Sequence, residues 1–368
     1  MDESTIPERN AEKDVKTAAD TAIDARSQAG FLRRLMSHPL SGVLTALAII
    51  CIVSSLLSSA FLDAYNLSII ARALAFVGLI TLAQTMLMVL GELDLSLGMI
   101  SGLAAVIGGI AMVHWGMHPA LAIPLTLLAG AACGLVNGLL VTGLGLHSLV
   151  LTIGMSGVYL AFKLGFTKGA AITGIPENIL FLGQSNLYDL LPTALQAMVE
   201  KAPLLLRLCE ALPLPTLIML ACMLIVAFVM ARTPFGRYMY AIGNNKAAAQ
   251  ILGIRVDRVR LAVFTCAGLL AALAGILMVA RMGTAQPSIG ENWVLPSIAA
   301  SVIGGVSTTG GVGGPIGAII GSAIVNVIEN IIVLIGINTY WQSGVSGAVV
   351  VIAISVDALS RRFFRKER

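Results

Sequence analysis

Charged residues are scarce in this chain of 368 residues. They make up 11% of it, against about 25% in soluble globular proteins, and its apolar residues reach 57% with a mean hydropathy of +0.92. A water-soluble core cannot bury so large an apolar fraction. The composition therefore excludes an ordinary soluble domain and predicts an all-α, polytopic helix bundle integral to a membrane, with membrane lipid as its main solvent.

The side chains that build metal sites and hydrolytic centres are equally scarce. The five cysteines form no CxxC pair, and the four histidines show no ligand spacing, so we expect no metal and no disulfide framework. GxxxxGK[ST], HExxH and GxSxG motifs are all missing, and the glycine-rich stretch at 304–314 lacks the lysine of a phosphate-binding loop. We therefore expect no enzyme activity, no cofactor and no nucleic-acid partner for this chain.

Apolar runs divide the chain into about ten candidate spans, because a spanning helix needs about 20 apolar residues. Their expected ranges are 41–62, 69–90, 98–114, 119–142, 147–165, 214–232, 259–282, 293–306, 314–335 and 341–359. The eighth is short and contains Pro296, which predicts a re-entrant or broken helix near 293–306. Gly130, Gly134 and Gly138 recur at four-residue spacing, which favours close packing of helix backbones.

Lysine and arginine predict the orientation. Most of the 23 basic residues lie in a polar N-terminal tail at 1–37, in a central loop at 232–260 and in a C-terminal tail at 361–368. The positive-inside rule places all three in the cytoplasm, with a flexible N-terminal tail and a membrane domain over 38–360. The segment 166–213 then faces the periplasm, and we expect one surface helix in it near 193–208.

The central loop contains a second short helical segment. Asn244 or Asn245 can cap it, 247–252 favours helix, and Gly253 can end it in the left-handed conformation. A short helix at the cytoplasmic face can couple a membrane channel to the movement of a soluble motor protein. The predicted coupling residues are Asn244, Asn245, Lys246, Ala247, Ala248, Ala249 and Gly253.

A polar turn joins the second and third spans. Glu92, Asp94 and Ser96 lie in this turn, which is expected at the cytoplasmic face. Asp94 and Ser96 can cap the next helix, and the alternative is a contact with the motor protein or with a gate. Arg72, Lys163, Arg281 and Asp357 lie near span ends, where long side chains can snorkel to water or a short one can reach it.

The ninth span carries a polar stripe. Asn326, Glu329 and Asn330 fall on one helical face, so that face is expected to avoid lipid. Hydrogen bonding between helices would explain the stripe. The alternative is a substrate pathway for a hydroxylated solute, with Asn137 of the fourth span as a further lining residue.

Four long motifs carry a family resemblance from about residue 40 to 359. They are GELDLSLG at 91–98, TPFGRYMYAIGNNKAAAQILGI at 233–254, IAASVIGGVSTTGGVGGPIGAIIG at 298–321 and YWQSGVSG at 340–347. In this order they resemble the permease subunits of bacterial ABC importers of the ribose/xylose/galactose class. Two positions depart from the family pattern: Glu92 replaces a glycine, and Ala247, after Lys246, replaces an acidic residue.

The resemblance implies a set of partners. It implies a second permease copy in a homodimer, a cytoplasmic ABC ATPase that binds the ATP, and a periplasmic sugar-binding protein. It also implies a multi-pass protein of the bacterial inner membrane, both termini cytoplasmic, that imports a monosaccharide by alternating access. Two alternatives remain: an ABC permease for branched-chain amino acids, and an ion-coupled secondary carrier in which Glu329 would be the coupling group.

Overall fold

The computed structural model describes residues 40–338 together with 341, 344, 347, 348, 351 and 355. Within this part of the chain the regular elements are α-helices and one 3₁₀ helix. The α-helices are α1 Ser41–Leu57, α2 Ala64–Val89, α3 Leu97–Val113, α4 Pro119–Gly143, α5 Ser148–Thr167, α6 Glu177–Gln184, α7 Thr193–Val199, α8 Pro203–Ala211, α9 Leu214–Arg232, α10 Pro234–Asn244, α11 Lys246–Ile251, α12 Val256–Met282, α13 Val294–Ile303 and α14 Pro315–Leu334. The 3₁₀ helix is Tyr188–Leu190.

Six of these helices are long and apolar enough to cross a membrane: α2, α4, α5, α9, α12 and α14. Three more, α1, α3 and α13, are apolar but shorter. The helical membrane bundle is thus confirmed, whereas the expected count of about ten spans is not. The tenth candidate at 341–359 and the two tails at 1–37 and 361–368 lie largely or wholly outside the described residues.

The sequence predicts a re-entrant or broken helix near 293–306, but α13 runs unbroken from Val294 to Ile303 with Pro296 in its first turn, and the break lies before it, at 283–293. Gly283 ends α12 with a φ of 65°, and the chain then runs without helix to Trp293. Ala285 exchanges two backbone hydrogen bonds of 3.0 Å with Ile172 at the start of this stretch. The ten-residue helix α13 follows, so this crossing combines an irregular half with a helical half.

Helix α12 lies at the centre of the bundle and packs against α2, α3 and α4. Its closest approach is to α4, where the predicted glycine spacing is used. A Cβ on Gly134 would overlap the carbonyl oxygen of Phe264, and one on Gly268 would overlap that of Gly130. The absent side chains let the two backbones touch, as expected for helices in lipid.

The bundle has two ends. We call the end where α9 finishes and α12 begins the loop end, and the opposite end, covered by residues 168–213, the cap end. The prediction of one surface helix near 193–208 is wrong, because the structure has α7 and α8 there, separated by residues 200–202. Ala202 has φ −119° and ψ 91°, since the residue before a proline, here Pro203, is disfavoured in the helical region.

Candidate functional site

The short helix α11 has the predicted capping chemistry. The side chain of Asn245 accepts a hydrogen bond of 3.0 Å from the backbone N–H of Ala248, and Gly253 has a φ of +81° just beyond the helix. Lys246, Ala247 and Ala248 are exposed, as is Asn244 at the end of α10, while Ala249 is 2% exposed and anchors the helix. Together these residues present a small convex surface at the loop end.

Two apolar side chains that the sequence reasoning had not singled out extend this surface. Ile251 and Leu252 are 87% and 79% exposed. Leu252 also lines a groove with Tyr238 and Arg258 beside it. Neighbouring exposed apolar side chains rimmed by basic groups are typical of a protein-docking surface.

Helix α10 holds this surface against the bundle. Gly243 lies so close to the carbonyl oxygen of Val89, at the end of α2, that a Cβ there would overlap it. The Val89 carbonyl accepts a hydrogen bond of 2.8 Å from the N–H of Gly311. Burial raises the pKa of the Tyr240 hydroxyl, which stays protonated and donates a 2.8 Å hydrogen bond to the Gly313 carbonyl. The helix is therefore fixed between α2 and the glycine loop at 304–314 that precedes α14.

Glu92 lies at the same end and forms an ion pair. The Nε of Arg260, in the first turns of α12, donates a 2.7 Å hydrogen bond to Oε1 of Glu92. Both side chains are largely buried, at 13% exposed for Glu92 and 8% for Arg260. The glutamate that departs from the family pattern thus ties the 90–96 turn to α12.

Asp94 and Ser96 belong to a buried hydrogen-bond cluster that we call the latch, completed by Asn137 and Tyr159. Oδ1 of Asp94 accepts from the Ser96 N–H at 2.7 Å and the Ser96 hydroxyl at 2.6 Å. Nδ2 of Asn137 donates to Oδ2 of Asp94 at 3.0 Å and to the Ser96 hydroxyl at 2.8 Å. The Tyr159 hydroxyl donates to Oδ1 of Asn137 at 2.8 Å.

The expected capping of the next helix is not what these side chains do. Ser96 occupies the N-cap position of α3, but no side-chain hydrogen bond caps that helix. The latch instead joins the turn at 90–96 to α4 and α5, and α5 adds two further bonds. The Ser148 hydroxyl accepts from the Leu93 N–H at 3.2 Å, and the Thr152 hydroxyl accepts from the Leu95 N–H at 3.0 Å.

A cavity of about 450 Å³, the central cavity, opens beside the break at 283–293. Asn326 and Glu329 of α14 line it, as the stripe predicted, together with Arg281, Asn292 and Trp293. Amide, carboxylate and guanidinium groups thus meet in an otherwise apolar bundle. Such a set of polar groups suits a neutral solute that both donates and accepts hydrogen bonds.

The other two residues of the expected pathway lie elsewhere. Asn137 is fully buried in the latch, and the structure does not bring it to Asn326 or Glu329. Asn330 forms a reciprocal amide pair with Asn66 of α2, with N–O distances of 2.8 and 3.1 Å. Both therefore make helix-to-helix hydrogen bonds, the second interpretation that the stripe allowed.

Lys163 does not snorkel to water as expected. Its side chain is 0% exposed, and Nζ lies 3.1 Å from Oε1 of Glu291, whose side chain is 42% exposed. The ion pair ties α5 to the break. Sequence reasoning missed Glu291 and Asn292 because they precede the apolar run, yet a Glu-Asn-Trp triplet beside a short span that contains Pro296 was a usable signal.

Within the described part of the chain, no group of three or more His, Cys, Asp or Glu side chains could hold a metal ion.

Comparisons with known proteins agree with this architecture. Residues 66–354 match the family described as branched-chain amino acid transport system / permease component. The ribose import permease protein of Bacillus subtilis is 35% identical over 317 residues, which cover 86% of this chain and 92% of the relative. No solved structure matches the sequence.

Two further relatives carry sugar names. The xylose transport system permease protein of Haemophilus influenzae is 30% identical, over 87% of this chain and 96% of the relative. The fructose import permease protein of Rhizobium meliloti is 29% identical, over 98% and 99%.

Proposed function

We propose that this chain, which belongs to the family of branched-chain amino acid transport system permease components, transports a monosaccharide of the ribose/xylose/galactose class. It is the membrane-spanning permease subunit of an ABC importer, a multi-pass protein of the inner membrane and a transport protein rather than an enzyme. An ATPase and a substrate-binding protein are the partners that such a permease requires.

The observation that carries the sugar assignment is the polar lining of the central cavity. Asn326 and Glu329 on α14 and Asn292 in the break offer hydrogen-bond donors and acceptors inside the bundle. Sugar hydroxyls need both kinds of partner, because each hydroxyl donates one hydrogen bond and can accept others. The sugar names of the relatives at 29–35% identity support the same substrate class.

The family description names branched-chain amino acids, and this is the competing substrate class. A leucine-like side chain calls for an apolar pocket, and most of the side chains that line this cavity are apolar. The amide and carboxylate groups among them and the sugar names of the relatives favour the monosaccharide. An ion-coupled carrier centred on Glu329 is not favoured by a family of permease components.

Energy coupling runs through α11 in this proposal. The ATPase, which binds the ATP, receives the exposed face formed by Asn244, Asn245, Lys246, Ala247 and Ala248, with Ala249 and Gly253 fixing the helix. The apolar pair Ile251 and Leu252 adds contact area to the same surface. We further propose a homodimer with both termini in the cytoplasm, with 232–260 as the cytoplasmic coupling loop and 166–213 as the periplasmic segment.

The direct test is reconstitution. The permease, purified with its ATPase, is placed in liposomes together with the binding protein, and uptake of labelled ribose, xylose, fructose and leucine is measured with and without ATP. ATP-dependent uptake of a sugar and not of leucine is expected. Uptake of leucine alone, or uptake of any of them by the permease without ATPase, would overturn the proposal.

Coupling through α11 is tested by two substitutions at Gly253. Its φ of +81° resists a β-branched residue but accepts asparagine, and a Cβ there meets no neighbour. Gly253→Val should lower ATPase co-purification and uptake, whereas Gly253→Asn should leave both near the parent value. If both variants give the same ATPase co-purification and the same uptake, the left-handed conformation at Gly253 is not needed for coupling.

A further inference from the structure

Arg281 lies where two cavities approach each other. It lines the central cavity and also a second one of about 480 Å³, the cap cavity, at the cap end. The cap cavity is polar, with Arg72, Asp189 and Glu210 among its lining residues. A solute that moves from the cap end into the bundle through these two spaces passes the guanidinium of Arg281.

The guanidinium of Arg281 is available to a ligand. Within the described residues no hydrogen bond or ion pair engages it, and its recorded contact is with the ring of Phe76, 5.6 Å from the centroid. Arg72 is different, because its NH2 donates 2.8 Å hydrogen bonds to the Gln184 carbonyl and to Oδ1 of Asn186. A guanidinium carries five N–H donors in a fixed fork, so Arg281 can offer two of them to neighbouring hydroxyls.

Trp293 supplies an apolar surface in the same space. Its ring stacks on Phe76 with centroids 5.9 Å apart and an interplanar angle of 11°. Phe76 is 1% exposed, and at the wall of the cavity its ring contacts both Trp293 and Arg281. Trp293 remains partly exposed and lines the cavity. A flat ring with an apolar face and hydroxyls at its edge fits an aromatic surface beside a forked donor.

The cavity lining carries groups of both signs. Glu291 is paired with the buried Lys163, and Arg281 and Glu329 are a basic and an acidic residue on the lining. A site with both signs favours a neutral ligand over a cation or an anion, because either ion would meet a like charge.

We propose that Arg281 and Trp293 form a sugar subsite inside the membrane, at the approach of the cap cavity to the central cavity. The sugar ring packs on Trp293, and its hydroxyls accept hydrogen bonds from Arg281 in exchange for the contact with Phe76. A cation–ring contact of this kind is weak enough to be exchanged at each passage. The inference rests on the proposed function and adds to it that the permease itself binds the sugar, apart from any binding protein.

Intrinsic fluorescence tests the subsite, because the chain has three tryptophans and the other two are removable. Trp115 and Trp341 are 63% and 69% exposed. The Trp115→Phe, Trp341→Phe protein leaves Trp293 as the sole tryptophan. Titration of the detergent-solubilised protein with ribose, xylose and fructose should give a saturable change in emission with at least one sugar, and titration with leucine should give none.

Variants of Arg281 assign the donor. Arg281→Gln should lower the affinity for the sugar about tenfold or more. Arg281→Lys keeps the charge but loses the forked pair of donors, and it should lower the affinity by a smaller factor. Arg207→Gln, on the exposed face of α8 outside both cavities, is the matched control and should titrate like the parent. An unchanged titration in Arg281→Gln would overturn the role of Arg281.

A second readout does not depend on how the Arg281 variants fold. In the single-tryptophan protein with Arg281 intact, sugar should protect Trp293 from quenching by acrylamide. Neither an emission change nor protection, in a preparation that supports ATP-dependent sugar uptake, overturns the subsite and leaves the proposed function standing. Absence of that uptake with all three sugars counts against the proposed function itself.

Discussion

Two irregular segments interrupt the helices of this bundle, and they handle their polar groups in opposite ways. The segment at 90–96 is closed: Asp94 and Ser96 are 0% exposed and are bonded by Asn137 of α4, while side chains of α5 accept from the backbone of the same segment. The segment at 283–293 is open: Glu291 and Asn292 are exposed on the central cavity. The first joins helices, and the second offers polar groups to a solute.

This difference distinguishes polar residues that stabilise the fold from polar residues that can bind a solute, which composition alone does not do. An unsatisfied polar group in a membrane interior costs several kcal/mol, so polar side chains there must find a partner. Those of the latch find each other. Those of the open segment can still form hydrogen bonds with a solute that binds and leaves, which is the property that a transport pathway needs.

The largest effect is expected from opening the closed segment. Asp94→Ala leaves the Ser96 N–H, the Ser96 hydroxyl and one Asn137 N–H without their acceptor in a dry site. We expect it to lower the free energy of unfolding by about 3 kcal/mol, measured by denaturant titration in detergent. The exchanged pair Asp94→Asn with Asn137→Asp retains one carboxylate and one amide and should recover part of the loss; no recovery would mean that the latch does not act as a unit.

A smaller effect is expected where the open segment touches α3. A Cβ on Gly98, in the first turn of α3, would overlap the carbonyl oxygen of Gly290 in the open segment. Gly98→Ala should cost about 2 kcal/mol through overpacking. Gly154→Ala on α5, where a Cβ meets nothing within 4 Å, is the matched control and should be neutral or slightly stabilising in the same titration. Equal free energies of unfolding for the two variants would contradict the close contact between Gly98 and Gly290.

The ion pair that fixes the open segment should matter less. Glu291→Gln leaves the ammonium of Lys163 buried beside a neutral amide, at a cost of about 1 kcal/mol, because Glu291 is 42% exposed and its pairing is partly screened. Adding Lys163→Met removes the stranded charge and should restore most of that stability. A double variant less stable than Glu291→Gln would show that Lys163 has a further role in packing.

The smallest effect on stability is expected at the cavity lining, where function should change instead. Glu329→Gln keeps the size and the hydrogen-bonding capacity of the side chain, so the free energy of unfolding should move by less than about 0.5 kcal/mol. ATP-dependent sugar uptake should fall about tenfold if the carboxylate binds the substrate hydroxyls. Uptake equal to the parent would show that the Glu329 carboxylate does not bind the substrate.

The sequence predicts the local features of these sites well. The capped helix α11 with Gly253 after it, the short helix at 294–303 and the Asn326–Glu329 stripe follow from turn chemistry and helical periodicity. Each depends on residues that are neighbours in the chain. The division of α7 from α8 at Pro203 is of the same kind and could have been predicted.

Partnerships between distant segments are what the sequence leaves open. Asn137 bonds Asp94 across 43 positions, and Lys163 pairs with Glu291 across 128. Periodicity places a polar residue on a face but does not say which face it meets. For this reason Asn137 was assigned to the pathway and Lys163 to the membrane surface, whereas packing buries both.

The Asn66–Asn330 pair fixes a point about which helices can swing. Each amide gives one hydrogen bond and takes one, so sliding α2 along α14 would break both bonds while a rotation preserves them. From Asn66 to Val89, where α10 presses on α2, the lever arm is about 35 Å at 1.5 Å per residue. A displacement of about 2 Å at Val89 then turns α2 by about 3° and shifts Phe76, about 15 Å from the pivot, by about 0.9 Å. A small displacement of Val89 at the loop end would thus shift Phe76, whose ring contacts Arg281 and Trp293.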